Sequence, residues 1–284
     1  MADSLIWLEV LAAGLGALFF LFLPFELWQR RRAGLLTWAS IKEMAVNVGV
    51  YVPTLLAGGM VLAFVFGLFT AAASLSPWEI TTTPLTAVLC VLLVDLLYYW
   101  DHRTVHRVRV LWALSHSVHH SSPQYDQTTA LRVSVVDGAI SPWFYLPAVL
   151  IGFDPLLVVA AFGLILAYQQ WLHTESIGRL GWIDGVFNTP SNHRVHHGVE
   201  APYIDKNYGA ILIVWDRLFG TWARETVPPT YGLVEPIASS HIWTVHIAEA
   251  RRLWSDLRRE KRWAERLDML LGPPEGKGVR GGGA

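Results

Sequence analysis

The chain alternates between long apolar stretches and polar segments crowded with histidine. Residues 5–28 are almost wholly apolar, broken by Glu9 and Glu26, and a run of that length crosses a bilayer as a helix. Arg30, Arg31 and Arg32 follow at once. A basic cluster beside a span marks the cytoplasmic side, which puts the N-terminus outside. Residues 33–45 mix apolar side chains with Lys42 and Glu43, which suits a short interfacial helix or a surface linker. A second apolar run, 46–75, carries Pro53 and the Gly58-Gly59 pair, both tolerated in membrane helices. Ser76-Pro77-Trp78 and residues 81–84 read as a turn, and 85–100 forms a third span near the lower length limit.

Beyond residue 100 the pattern changes. Residues 101–138 are polar; 139–152 and 155–171 are apolar and flank Phe153-Asp154-Pro155, which predicts a short hairpin, either tilted through the membrane or re-entrant. Residues 172–271 are polar again, with a charged helix over 243–271, and 272–284 form a glycine-rich flexible tail. The expected fold is all-α: a polytopic membrane helix bundle of three long spans plus a short helical hairpin, with a cytosolic helical cap from 101–138 and 172–271, all in one membrane-embedded domain. The arginines alone set the sides, yet every histidine group then falls on the cytoplasmic face.

Composition supports a membrane protein, with 53% hydrophobic and 16% charged residues. The net charge of -1 supplies no global field for nucleic acid. Cys90 is the single cysteine, which excludes an intramolecular disulfide or a cysteine-ligated iron-sulfur centre within one chain. The first residues carry no basic region ahead of the apolar run, so a cleaved secretory signal is not expected.

The chemistry rests on histidine. His102 and His106 form HxxxH at the end of the third span, a spacing that places two imidazoles on one helical face. His116, His119 and His120 form HxxHH, and His193, His196 and His197 repeat it. On a helix each trio shares a face. His173, at the end of the hairpin, is a ninth candidate ligand, whereas His241 and His246 lie apart and read as structural. A lone histidine is more often a hydrogen-bonded core or surface residue than a ligand. Three chelating groups reverse that balance, because so many imidazoles packed without metal leave polar nitrogens in need of partners. A structural zinc takes four ligands and an octahedral ion six, so nine imidazoles point to two metals. Imidazole alone does not distinguish iron from zinc, copper or nickel. A dimetal site beneath the headgroups suits oxidation of an unactivated lipid carbon, and iron fits that task.

HRTVH, HSVHHSS, HTE, NTPSNHRVHHG, IDKNYG and WDRLFGTW, over residues 90–224, together resemble the fatty acid hydroxylase and sterol desaturase superfamily, and within it the alkylglycerol monooxygenases. The resemblance implies a helical membrane fold with a cytosolic, histidine-bound diiron centre, molecular oxygen as co-substrate and an external two-electron donor, which in the alkylglycerol monooxygenases is tetrahydrobiopterin. His102, His106, His116, His119, His120, His193, His196 and His197 match the boxes one by one, and His173 matches the HTE position. Arg107 departs from the pattern, since related chains commonly carry an acidic residue there.

Around the boxes, Asp95 lies within the third span on the face of His102 and is expected to orient an imidazole N–H, or else to bond another helix. Glu175, Asn192 and Asp205 are candidates for the same indirect support, with helix capping an equal account of Asn192 and a turn role favoured for Asp205. Tyr98, four residues before His102, is a candidate for the lipid entrance. No GxGxxG element, haem-binding motif or flavin domain is visible, so the donor is a separate protein or a small reductant. The expected activity is membrane-bound diiron hydroxylation or desaturation of a lipid, whether fatty acyl, sterol or ether lipid. The alternatives are a histidine-rich zinc hydrolase, which lacks the expected HExxH, and a metal transporter, whose histidines belong along the spans.

Overall fold

The computed structural model describes residues 2–274, with side chains from residue 6, so the expected tail at 272–284 falls largely outside the described residues. Among them no strand is present; the nearest approach is an isolated bridge between Phe187 and Leu212. Among the described residues four helices are long and apolar enough to cross a membrane: within α1 (Ala2–Arg32), α2 (Trp38–Ala73), α3 (Pro84–Arg107), and α8 (Pro155–Gln169) extended by a 3-10 turn to Leu172. The chain is an integral membrane protein.

The second helix is longer than its apolar run. Thr37 caps it by accepting from the Ser40 amide at 3.2 Å while the Ser40 hydroxyl accepts from the Thr37 amide at 2.8 Å. Residues 38–45 therefore continue the span and form no separate interfacial helix. The reason lies in Glu43 and Asn47, which are buried against the cap. Thr83 caps α3 in the same way, with Pro84 at the first helical position, and α3 runs through both histidines of the first box.

Short elements follow: α4 (Arg109–Leu111), a π-helical turn (Trp112–His116), α5 (Ser117–His120), a 3-10 turn (Gln127–Leu131), α6 (Asp137–Ile140) and α7 (Pro142–Leu150). The hairpin is unequal, since α7 is a single short arm whereas α8 is long enough to span. Asp154 caps α8 through the Leu156 amide at 2.8 Å. Beyond it come a 3-10 turn (Gly181–Gly185), α9 (Pro190–His196), α10 (Val214–Leu218), α11 (Ile242–Arg259) and α12 (Trp263–Leu271). The charged helix expected over 243–271 is thus broken between α11 and α12.

The apolar core joins α3, α7 and α8 around Val94, Tyr145, Val149, Leu157, Ala161 and Ile165. At the histidine-bearing end, polar ties fasten the helix ends to the cap. Glu26 of α1 accepts from the Gln127 amide at 2.8 Å and from the Thr174 hydroxyl at 2.5 Å. Arg30, one of the three arginines after the first span, is buried and donates to the Tyr125 carbonyl. Arg132 donates to Glu43 at 2.5 Å and Asn47 at 2.7 Å on α2, and to the Val118 carbonyl and Ser121 hydroxyl of the second box.

Candidate metal centre

The structure brings all nine histidines from 102 to 197 together, in two groups. His102, His106, His116, His120 and His196 form one; His119, His173, His193 and His197 form the other. Within each group one ring nitrogen per residue lies within 4.8 Å of the others. Within each HxxHH trio two imidazoles stay together and the third joins the other group. Every i,i+4 pair stays together, while the i+3 member of the second box, His119, and its counterpart His196 cross to the other group. Helical geometry explains this: at about 100° per residue, i+4 lies roughly 40° to one side of i and i+3 roughly 60° to the other. The consecutive pairs His119-His120 and His196-His197 therefore straddle both groups, and the His120 and His197 rings stack at 4.3 Å. The π-helical turn ends at His116 and re-aims the box, as such turns do at functional sites.

Backbone carbonyls fix four of the rings. The Nδ1 atoms of His102, His119, His173 and His196 lie 2.8, 3.2, 3.2 and 3.0 Å from the carbonyl oxygens of Tyr208, Arg132, Gln169 and Lys206. A carbonyl oxygen only accepts, so each Nδ1 carries the proton and each neutral ring presents a lone pair at Nε2. The Nε2 atoms of His119 and His173 nevertheless face each other at 3.1 Å. Burial holds the imidazole of His173 well below its ordinary pKa and that of His119 at about 4, so no proton bridges them near neutrality. Two buried lone pairs at that distance repel unless a cation lies between. Other Nε2 atoms also meet in close pairs: His173 to His193 at 2.9 Å, His193 to His197 at 3.2 Å, His102 to His116 at 2.9 Å and His120 to His196 at 3.1 Å. The buried Nε2 of His106 has no hydrogen-bond partner. Burial also depresses His116, His120, His193, His196 and His197, the neighbouring imidazoles adding to the effect. Neutral imidazoles with converging lone pairs and outward N–H groups held by carbonyls are the arrangement metal ions require. The residues present fit two metal ions.

The remaining expected residues are placed as follows. Asp95 does not reach a histidine: its carboxylate accepts from the Ile211 and Leu212 amides at 2.8 and 3.2 Å and from the Trp215 indole at 2.8 Å. It pins the loop after Tyr208, whose carbonyl holds His102, so its influence on that ring runs through backbone. Asp205 does stand beside the centre, with Oδ1 4.0 Å from His106 Nδ1 and 2.9 Å from the Tyr208 hydroxyl. Asp205 also pairs with Arg107, which supplies a partner for the basic residue at that unusual position. Its positive φ of 60° and that of Asn207, 58°, mark the tight turn that aims the Lys206 and Tyr208 carbonyls inward.

Glu175 is exposed, faces Arg30 and the Tyr231 hydroxyl, and belongs to neither histidine group. Asn192 is buried but donates to the Asp184 and Phe187 carbonyls at 2.8 and 3.1 Å, and the cap of α9 is Thr189. Tyr98 packs edge-on to His102, ring centres 5.4 Å apart, at the membrane side of the centre. His246 contacts the Val50 carbonyl and His241 stands at the start of α11, both apart from the two groups. Tyr208, Lys206, Arg132 and Gln169 were missed because they act through main-chain oxygens, which leave no mark in side-chain spacing.

A family model described as fatty acid hydroxylase matches residues 87–221, a stretch that contains all nine clustered histidines. Over that stretch the chain is similar to the fatty acid hydroxylase family. Alkylglycerol monooxygenase of Danio rerio is 45% identical over 178 residues, covering 63% of this chain and 39% of that protein. The Homo sapiens alkylglycerol monooxygenase is 41% identical over 179 residues, with the same coverage of 63% and 39%. Ornithine lipid hydroxylase OlsE of Rhizobium tropici is 31% identical over 143 residues, 50% of this chain and 43% of that protein. The chain spans less than half the length of these relatives. No solved structure matches.

Proposed function

We propose that this protein is a membrane-bound diiron oxygenase that hydroxylates a lipid, using O2 and an external electron donor. The observation that carries the reading is the division of nine buried or half-buried imidazoles into adjacent groups of five and four, with one ring nitrogen of each within 4.8 Å of the others in its group. The relatives' names, a monooxygenase of alkylglycerols and a hydroxylase of ornithine lipids, support lipid as the substrate class and hydroxylation over desaturation. An ether-linked glycerolipid is the first substrate to test. Among donors, tetrahydrobiopterin is the first, since no dinucleotide- or flavin-binding sequence is present in the chain.

His102, His106, His116, His120 and His196 would hold one iron, and His119, His173, His193 and His197 the other. The pair, when bound, supplies the redox chemistry that activates dioxygen toward a carbon-hydrogen bond. The protein's own part is positional. The carbonyls of Tyr208, Arg132, Gln169 and Lys206 fix the ring planes and tautomers, so little reorganisation accompanies metal binding. The burial that keeps the imidazoles neutral also excludes bulk water from the reacting carbon. Tyr98 and the α3 helix stand between the centre and the membrane interior, on the route by which an acyl or alkyl chain reaches it. The exposed Arg31 and Arg32 at the histidine-bearing end support its placement in the cytoplasm. A zinc hydrolase would need fewer ligands than these nine and a carboxylate base such as that of HExxH, which the sequence lacks, and a transporter would carry histidines along its spans. The test is lipid profiling of cells expressing the wild type or His119→Ala under oxygen: a lipid lost or hydroxylated only with the wild type is expected, and identical profiles refute the proposal.

A further inference from the structure

A cavity of about 500 Å³ opens on the flank of the cap, and no histidine lines it. Its wall carries three guanidinium groups, from Arg179, Arg217 and Arg224, and two carboxylates, from Asp184 and Glu225. Both carboxylates are already engaged. Asp184 accepts from the Leu180 amide at 2.9 Å and the Thr189 hydroxyl at 2.6 Å; Glu225 takes two bonds from Arg194, at 2.7 and 2.8 Å, and one from Ser191. Arg217 lies over the Trp222 ring, 5.0 Å from its centre. The cavity therefore has a net positive lining with an aromatic wall, and its size is that of a small-molecule site.

Its position in the fold is equally specific. Asp95 within α3 ties down Ile211, Leu212 and Trp215, and Phe219 stacks on Tyr99 at 5.1 Å and packs on Trp100 at 5.0 Å. α10 thus lies along the last turns of a membrane-spanning helix. The Ile213 amide donates to the Val186 carbonyl at 3.0 Å and Arg217 to the Gly185 carbonyl at 3.3 Å, so the cavity wall is fastened to that same segment. Trp182, 76% exposed, lines the cavity, and Leu218, 67% exposed, follows the cavity-lining Arg217 in α10. An exposed tryptophan and leucine beside a span end belong at headgroup depth.

We infer that this cavity binds the phosphate of a membrane lipid headgroup, with the lipid's chains running down past α10 into the bilayer. Guanidinium groups suit phosphate because their planar forks match its oxygens two at a time. The inference rests on the membrane placement of the four helices and not on the metal reading, so either can fail alone.

The test uses the full chain in a neutral detergent, stripped of co-purified lipid, and titrated calorimetrically with dihexanoyl phosphatidic acid, with dihexanoylglycerol and with inorganic phosphate. Saturable binding of the phosphatidic acid is expected, with the other two at least about tenfold weaker. Arg179→Gln and Arg224→Gln, both at exposed positions, should together weaken it by about tenfold or more without moving the thermal midpoint. Arg217→Gln should do the same, and a fall in its midpoint would leave the exposed pair as the deciding variants. Absence of saturable binding, equal affinity for free phosphate or for the neutral glyceride, or undiminished binding in the double variant overturns the inference.

Discussion

Arg132 offers the sharpest probe of how the cap is joined to the membrane helices. Its guanidinium is buried, pairs with Glu43, also buried, and bonds Asn47, Ser121 and the Val118 carbonyl. Replacing it by methionine conserves much of the volume but leaves a buried carboxylate with no counter-charge, a change that costs about 3–5 kcal/mol in buried pairs. At roughly 2 °C per kcal/mol for a chain of this size, the thermal midpoint in detergent should fall by about 6–10 °C. The same residue presents the carbonyl that fixes His119, so metal retention should fall with it. The double variant Glu43→Leu, Arg132→Met removes both charges and should recover most of the lost stability, because matched apolar replacements of buried pairs are often neutral. A single variant within about 1 kcal/mol of wild type, or a double variant worse than the sum of its parts, refutes the view that this pair joins cap to span.

Asp95→Leu strands two amides and an indole N–H, each at about 1–3 kcal/mol; lower thermal stability and loss of metal from the His102 group are expected by melting and metal analysis. Gly209→Ala places a methyl carbon 2.5 Å from the Leu212 carbonyl oxygen, so the loop bearing Tyr208 must shift, and reduced metal content with reduced activity is the expected readout. Tyr208→Phe keeps the carbonyl on His102 and loses only the hydroxyl bond to Asp205, so its cost should stay near 1 kcal/mol by melting. For the metal-free chain, the folded pKa of His119, about 4, lies below the ordinary 6.5. The unfolded chain then binds more protons across that interval, so apo stability is full above pH 6.5 and falls as pH drops toward about 4. Chelated protein melted across this range should show that slope, and a flat profile contradicts the burial of neutral imidazoles.

The apolar runs announced the spans and the box spacing announced the metal centre, because both signals are local. The division into groups of five and four was partly legible, since each i,i+4 pair stays together, but which trio member crosses over depends on how α5 and α9 face each other. Of the two roles open to Asp95, its helical face favoured His102, whereas the loop at 211–215 arrives from far along the chain to claim its oxygens. Lys42 and Glu43 suggested an interface, yet Glu43 is buried for the sake of Arg132, a partner 89 residues away. The break between α11 and α12 falls at Glu260, Lys261 and Arg262, with no proline or glycine to signal it. The carbonyl anchors of the imidazoles were invisible for the reason that every residue has a carbonyl.

If two adjacent imidazole sets each hold one iron, elemental analysis of the purified chain will count them. About two iron atoms per wild-type chain are predicted from the donor count. His119→Ala should lose the metal of the four-histidine set and His196→Ala that of the five-histidine set, each retaining at most about one. Full metal content in both variants, or none in an iron-reconstituted wild type, would rule out a two-iron centre held by these histidines.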